Sequence, residues 1–185
     1  MAIGPRFPDV LDGAKQGQES AFNVLYREFN PALIRYFRAR ARREAEDLTA
    51  EAWLLAARDL RDFHGDEAGF RAWLVGIAHA LLAGHRLQPP HHSDPVDPAA
   101  LERLVTGGGP DAPMLESEAA QAVINRICTV LSPDQGDVIL LRLVVGLSIA
   151  ETAEVMDKSV GAVRVLQHRA LHRLSREFSV EGIRL

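Results

Sequence analysis

The sequence predicts an all-α protein made of two small helical domains, and three observations carry that prediction. Long segments rich in Ala, Leu, Arg and Glu repeat their apolar residues every three or four positions, and no stretch alternates apolar with polar residues long enough to argue for a sheet. A segment crowded with proline and glycine, residues 89–116, divides the chain into residues 1–88 and 117–185. Beyond it, two capping signatures and a glycine stop mark helices at the spacing of a helix-turn-helix unit.

The N-terminal domain is predicted to open with a helix from about Pro8 to Phe29, burying Val10, Ala14, Ala21, Leu25 and Phe29. Asn30-Pro31 signals the next helix start, with Leu33, Ile34 and Phe37 for burial. Five arginines, Arg35, Arg38, Arg40, Arg42 and Arg43, follow one another with no acid before Glu44, a strong local field that suits nucleic acid, an acidic protein surface or plain solvent equally. A third helix begins in the acidic run Glu44 to Asp47 and turns apolar towards Trp53. After the breaking loop Asp62 to Gly69, residues Phe70, Trp73, Leu74, Ile77 and Ala78 form the apolar stripe of a core helix.

Residues 89–116 hold six prolines, three consecutive glycines, one arginine and five acids, the composition of an acidic, poorly ordered linker. The net charge of −4 comes entirely from this segment, since the two flanking regions are each neutral. Overall charge therefore says little about either domain's surface.

In the C-terminal domain Ser132-Pro133-Asp134-Gln135 and Ser148-Ile149-Ala150-Glu151 are capping boxes, and Gly146 ends the apolar helix between them. A helix of about two turns then reaches Met156, and Asp157-Lys158 leaves room only for a tight turn into a helix from Ser159. Stepping about 100° per residue puts Val163, Leu166, Ala170 and Leu174 on one apolar stripe. The opposite arc carries Gly161, Arg164, Val165, His168, Arg169, His172 and Arg176. Residues 158–176 contain five basic side chains and no acid, which favours DNA over a merely solvated face. Arginine there suits bidentate contact to guanine or phosphate, Gly161 lets the backbone come close, and Val165 fits a thymine methyl group.

The ordered set Glu46-Asp47-Leu48-Thr49-Ala50-Glu51-Ala52-Trp53, then Phe70 to Ala78, then a linker, then Leu131 to Gln135 and Gly146 to Ala153, resembles bacterial extracytoplasmic-function sigma factors of the sigma-70 family. That resemblance implies a sigma subunit that binds core RNA polymerase and directs it to promoter DNA, with an anti-sigma factor as a further partner. It implies polymerase-binding residues Asp47, Leu48, Ala50 and Glu51, with the N-terminal domain as sigma region 2. It implies that the loop around Phe63, His64, Gly65 and Asp66 captures a base flipped from the minus-ten element, a step costing a few kcal/mol that stacking must offset. The helix-turn-helix from about Ile149 to His168, with Lys158, Ser159, Gly161, Arg164, Val165, His168, Arg169 and His172, would read the minus-thirty-five element.

Where the family continues Phe-Arg-Ala-Trp-Leu into an Arg-Asn pair and later basic residues, this chain has His79-Ala80 and then Ala83 to Gln88, with Arg86 the single fixed positive charge. Either His79, His85 and Arg86 substitute in promoter melting, the arginines of 35–43 contribute more, or only certain promoters are melted. His79, His85, His91 and His92 match no closed zinc spacing, so neither metal nor cofactor is predicted. No nucleophile set or phosphate loop points to an enzyme. A free-standing helix-turn-helix regulator is the alternative, but it has no use for the Asp47 to Trp53 segment. Apolar stretches are too short to span a bilayer or are broken by Arg142, the N-terminus lacks a leader pattern, and a single cysteine, Cys128, allows no disulfide framework. These features predict a cytoplasmic protein without membrane insertion.

Overall fold

The computed structural model describes residues 2–84 and 118–180, with side chains for 2–84 and 123–177. The predicted linker, and with it His85, Arg86, His91 and His92, lies outside the described residues. Among the described residues the fold is helical throughout, as predicted. A short 3-10 turn, Gly4–Arg6, leads into α1 (Phe7–Lys15), α2 (Glu19–Arg40), α3 (Ala45–Asp59), a second turn Leu60–Asp62, and α4 (Glu67–Gly84). The C-terminal lobe holds α5 (Glu118–Val130), α6 (Pro133–Ile139) with a wider π-helical continuation Leu140–Val145, α7 (Ile149–Val155) and α8 (Val160–Val180).

Two helix boundaries in the N-terminal lobe differ from the sequence reading. The predicted Pro8 to Phe29 helix is broken at Gly17, whose φ of +82° is cheap only for glycine. The Gly17 and Gln18 amides close the end of α1 on the Ala14 and Gly13 carbonyls. The start expected at Asn30-Pro31 does not occur, because α2 runs on through Pro31. Proline inside a helix costs about 3 kcal/mol. Burial of Phe29 and Leu33 on either side opposes that cost, and the Asn30 side chain accepts a hydrogen bond from the Trp53 indole at 3.1 Å.

Phe70 is fully buried at the centre of an aromatic group, with ring centroids 5.8 Å from Phe7, 5.0 Å from Phe29, 5.3 Å from Phe63 and 5.5 Å from Trp73. It ties α1, α2, α4 and the 63–66 loop together. In the C-terminal lobe both capping boxes form; Glu151 N–H donates to Ser148 Oγ at 3.2 Å and Ser148 N–H to Glu151 Oε2 at 2.6 Å. Gly146 takes φ +82°, and the Leu147 amide bonds back to the Leu141 carbonyl at 3.0 Å. The predicted stop at Val145 is observed, and α7 ends at Val155 with Met156, the expected last residue, as its C-cap.

The lobes touch. Helix α2 packs on α5 and the π-helical turn, and α4 packs on α7, so one apolar cluster joins Tyr36 and Phe37 to Ile124, Val138, Leu140 and Val144. At its edge Arg40 Nε donates to Asp137 Oδ1 at 2.9 Å and Arg40 Nη2 to the Pro133 carbonyl at 2.6 Å. Gly136 makes room for this, because a Cβ there would stand 3.2 Å from the guanidinium. Burial alone would lower the Arg40 pKa, but the Asp137 carboxylate, together with Cys128 and Tyr36, holds it raised.

Cys128 beside this contact has its thiol pushed up from 9.0 to about 11 by burial, reinforced by Asp137 and opposed by Arg40. Between these values the unfolded chain has lost this proton and the folded chain keeps it, so stability falls as pH rises. Denaturant titrations from pH 8 to 11 should therefore show a loss that Cys128→Ala reduces; an identical pH slope in the variant would remove the thiol as its source. The turn between α7 and α8 places Asp157 at φ +50°, a conformation costly for branched residues. Asp157→Val should lower unfolding free energy by about 1–2 kcal/mol in urea titration, whereas a neutral result would mean the turn relaxes freely.

Candidate polymerase and promoter surfaces

Helix α3 offers an acidic outer face. Its buried side is Leu48, Ala52, Trp53 and Ala56, and helical spacing then leaves Asp47, Ala50, Glu51 and Leu54 outward and exposed. Leu48, expected among the polymerase-binding residues, is 2% exposed and belongs to the core behind this acidic face. Leu54, which sequence reasoning did not single out, is 72% exposed and adds an apolar contact to that face. Its signal was present in the spacing, seven residues after Asp47, but was masked by a run of apolar neighbours.

The 63–66 loop presents His64, Gly65 and Asp66 to solvent. Phe63, expected as a stacking partner for a flipped base, instead packs on Phe70 and on Trp73, whose ring centroid is 5.0 Å away. Gly65 closes over it: a Cβ there would meet Phe63 Cζ at 2.9 Å. Asp66 Oδ1 accepts from the Gly69 amide at 2.8 Å, so its carboxylate is engaged in capping α4. His79, also expected among the minus-ten residues, makes an internal bond. Its Nδ1 lies in a 2.9 Å hydrogen bond with the Tyr36 hydroxyl, which turns the ring inward and leaves it half-buried.

The arginine run does not form a single patch. Arg35 is buried, Arg40 is committed to Asp137, and Arg38 lies 3.5 Å from Glu46 at the surface, leaving Arg42 and Arg43 exposed after α2 ends.

In α8 the apolar stripe is seated as predicted, with Val163 and Ala170 fully buried and Leu174 nearly so. Gly161, Arg164, Val165, His168, Arg169, His172 and Arg176 are all exposed on the outward arc. Arg173, omitted from that arc, is exposed as well, although its helical angle lies near that of Leu166. Two of the expected DNA-binding residues have structural partners. Ser159 Oγ accepts from the Ala162 amide at 3.2 Å and so caps α8, and Lys158 Nζ is 3.1 Å from Asp134 Oδ2. Lys158 is thus partly neutralised, and the free positive charge of the helix begins at Arg164.

Comparison with known proteins agrees with this arrangement. Residues 25–86 match the model of Sigma-70 region 2, and residues 124–174 match that of Sigma-70, region 4. The chain is 32% identical over 186 residues to the ECF RNA polymerase sigma factor SigD of Mycobacterium tuberculosis, covering 97% of this chain and 87% of that protein. It is 34% identical over 173 residues to BldN of Streptomyces coelicolor, another ECF RNA polymerase sigma factor, covering 92% of this chain but 65% of BldN. The solved structure of CnrH in complex with the cytosolic domain of CnrY is similar in fold, with a TM-score of 0.68 at 23% identity over 94% of this chain and 97% of that one. The chain belongs to the ECF RNA polymerase sigma factors.

Proposed function

We propose that the chain binds core RNA polymerase through the outer face of α3 and directs it to promoters, the N-terminal lobe meeting the minus-ten element and α8 reading the minus-thirty-five element. The observation that carries this reading is the pairing, on one chain, of an exposed acidic face on α3 with a basic recognition helix held by a capped helix-turn-helix. A free-standing DNA-binding regulator accounts for the second feature and leaves the first without a purpose. The protein supplies recognition and strand capture, and phosphoryl transfer belongs to the polymerase, so this role needs neither metal nor cofactor. It places the protein in the cytoplasm, and a protein clamped across both lobes would act as an anti-sigma factor.

The closed arrangement sets a condition on promoter binding. Elements centred about 25 base pairs apart are separated by roughly 85 Å at 3.4 Å per base pair. Lobes in contact through Arg40 and Asp137 do not bridge that distance, so they separate when both elements are engaged. The ion pair is well suited to a reversible contact, because both charges recover hydration on opening.

Asp47→Ala combined with Glu51→Ala should weaken binding to core polymerase by about tenfold while leaving duplex binding by the C-terminal lobe unchanged, read by co-elution and fluorescence anisotropy. Equal loss of both would place the polymerase interface elsewhere. Arg164→Ala should lower affinity for the minus-thirty-five duplex by about 1–3 kcal/mol and relax preference at one base pair. A loss independent of sequence would make Arg164 a phosphate contact.

A further inference from the structure

The N-terminal residues make one contact that neither polymerase binding nor base capture explains. Ile3 has helical dihedrals (φ −63°, ψ −32°) and Gly4 is left-handed at φ +65°. Successive right- and left-handed residues turn their two amide hydrogens to the same side and form a nest for an anion. The anion is a side chain of the protein itself: Glu67 Oε1 accepts from Ile3 N–H at 2.9 Å and Glu67 Oε2 from Gly4 N–H at 2.8 Å. Glu67 opens α4, where a carboxylate is also favoured by the helix dipole. Three residues on, Phe7 is 2% exposed and packs on Phe70, which in turn packs on Phe63.

The loop is therefore gripped at both ends. Phe63 at its start is held by the ring cluster that Phe7 completes, and Glu67 at its end is held by the Ile3–Gly4 nest. Between the two grips His64 and Gly65 face solvent, and Asp66 beside them caps α4. We propose that residues 3–7 act as a strap that holds the 63–67 loop in its base-capturing shape, with Glu67 as a positioning residue for minus-ten recognition. This rests on the reading of that loop as the base-capturing element. A flexible loop would have to be ordered at the moment of binding; the strap orders it beforehand, so that less of the stacking energy is spent on the loop itself.

The test uses holoenzyme and a fluorescent single-stranded minus-ten oligonucleotide. Glu67→Ala should weaken oligonucleotide binding by about tenfold, through the loss of both charge-assisted hydrogen bonds that hold the loop's end. Glu67→Gln, whose side-chain oxygen still accepts one amide, should lose less. Gly4→Ala should produce the same defect from the other side, since nothing lies within 4 Å of an added Cβ and only the left-handed backbone opposes it. Combining it with Glu67→Ala should add little, as two halves of one contact do. Amides 64–66 should exchange faster with deuterium in each variant, while core polymerase affinity and minus-thirty-five binding stay unchanged. Parallel loss of core binding, or unchanged oligonucleotide binding by Glu67→Ala, would overturn the strap. His64→Ala separates this from the underlying reading: if His64→Ala weakens the oligonucleotide complex and Glu67→Ala does not, only the strap fails. If both are silent, the loop is not the base-capturing element.

Discussion

The structure is organised around the second half of one long helix, a stretch that has almost no outside. Helix α2 packs against α1, α3, α4, α5 and the π-helical turn, and between Pro31 and Arg40 only Arg38 is exposed. Such a segment has to be apolar nearly all round, as Leu33, Tyr36, Phe37 and Ala39 are, and each polar group it carries has to find a partner inside the protein. Tyr36 meets His79, and burial, with Asp137 adding to it, keeps the phenol pKa well above its ordinary value and so keeps it neutral. Arg40 meets Asp137 and the Pro133 carbonyl. Two of the five arginines in the basic run, Arg35 and Arg40, are thus placed inside the protein, and Arg38, Arg42 and Arg43 stay at the surface.

The same constraint explains why the site residues fall into two kinds. Those on helices with a single packed face, α3 and α8, are where helical spacing puts them, because such a helix has an unambiguous outside. Those near crowded helices are displaced inward. His79 lies on α4, which packs on α2, α3 and α7, and Phe63 is drawn into the Phe70 cluster. At His79, where the chain departs from the family pattern, the imidazole is bonded to the hydroxyl of the buried Tyr36.

This also marks what was legible in the sequence. The helix-turn-helix could be read almost residue by residue, since its caps, its glycine stop and its turn are local chemistry written in Ser132, Gln135, Gly146, Ser148 and Glu151. The run of α2 through Pro31 could not, because proline is a local stop signal and what overrides it is burial of Phe29 and Leu33 by helices distant in sequence. Leu48 shows a different limit: a motif names its positions without saying which face each occupies, and Leu48 faces the core. The Glu67 contact with Ile3 and Gly4 spans more than sixty residues, and no periodicity or spacing announces a nest formed by two backbone amides.

The charge of α8 illustrates how a nearly neutral lobe presents a positive surface. The acids nearest the helix-turn-helix are placed where they do structural work: Asp134 pairs with Lys158, Glu151 caps α7, and Asp137 faces the other lobe. Each acid used in this way is removed from the arc that carries Arg164, Arg169 and Arg176, all exposed. At a Debye length of about 8 Å in physiological salt, a phosphate against that arc responds to the arginines beside it far more than to a carboxylate on another face. Local arrangement, and not the net charge of the chain, therefore sets the field at α8, and none of these arginines takes part in the contact between the lobes.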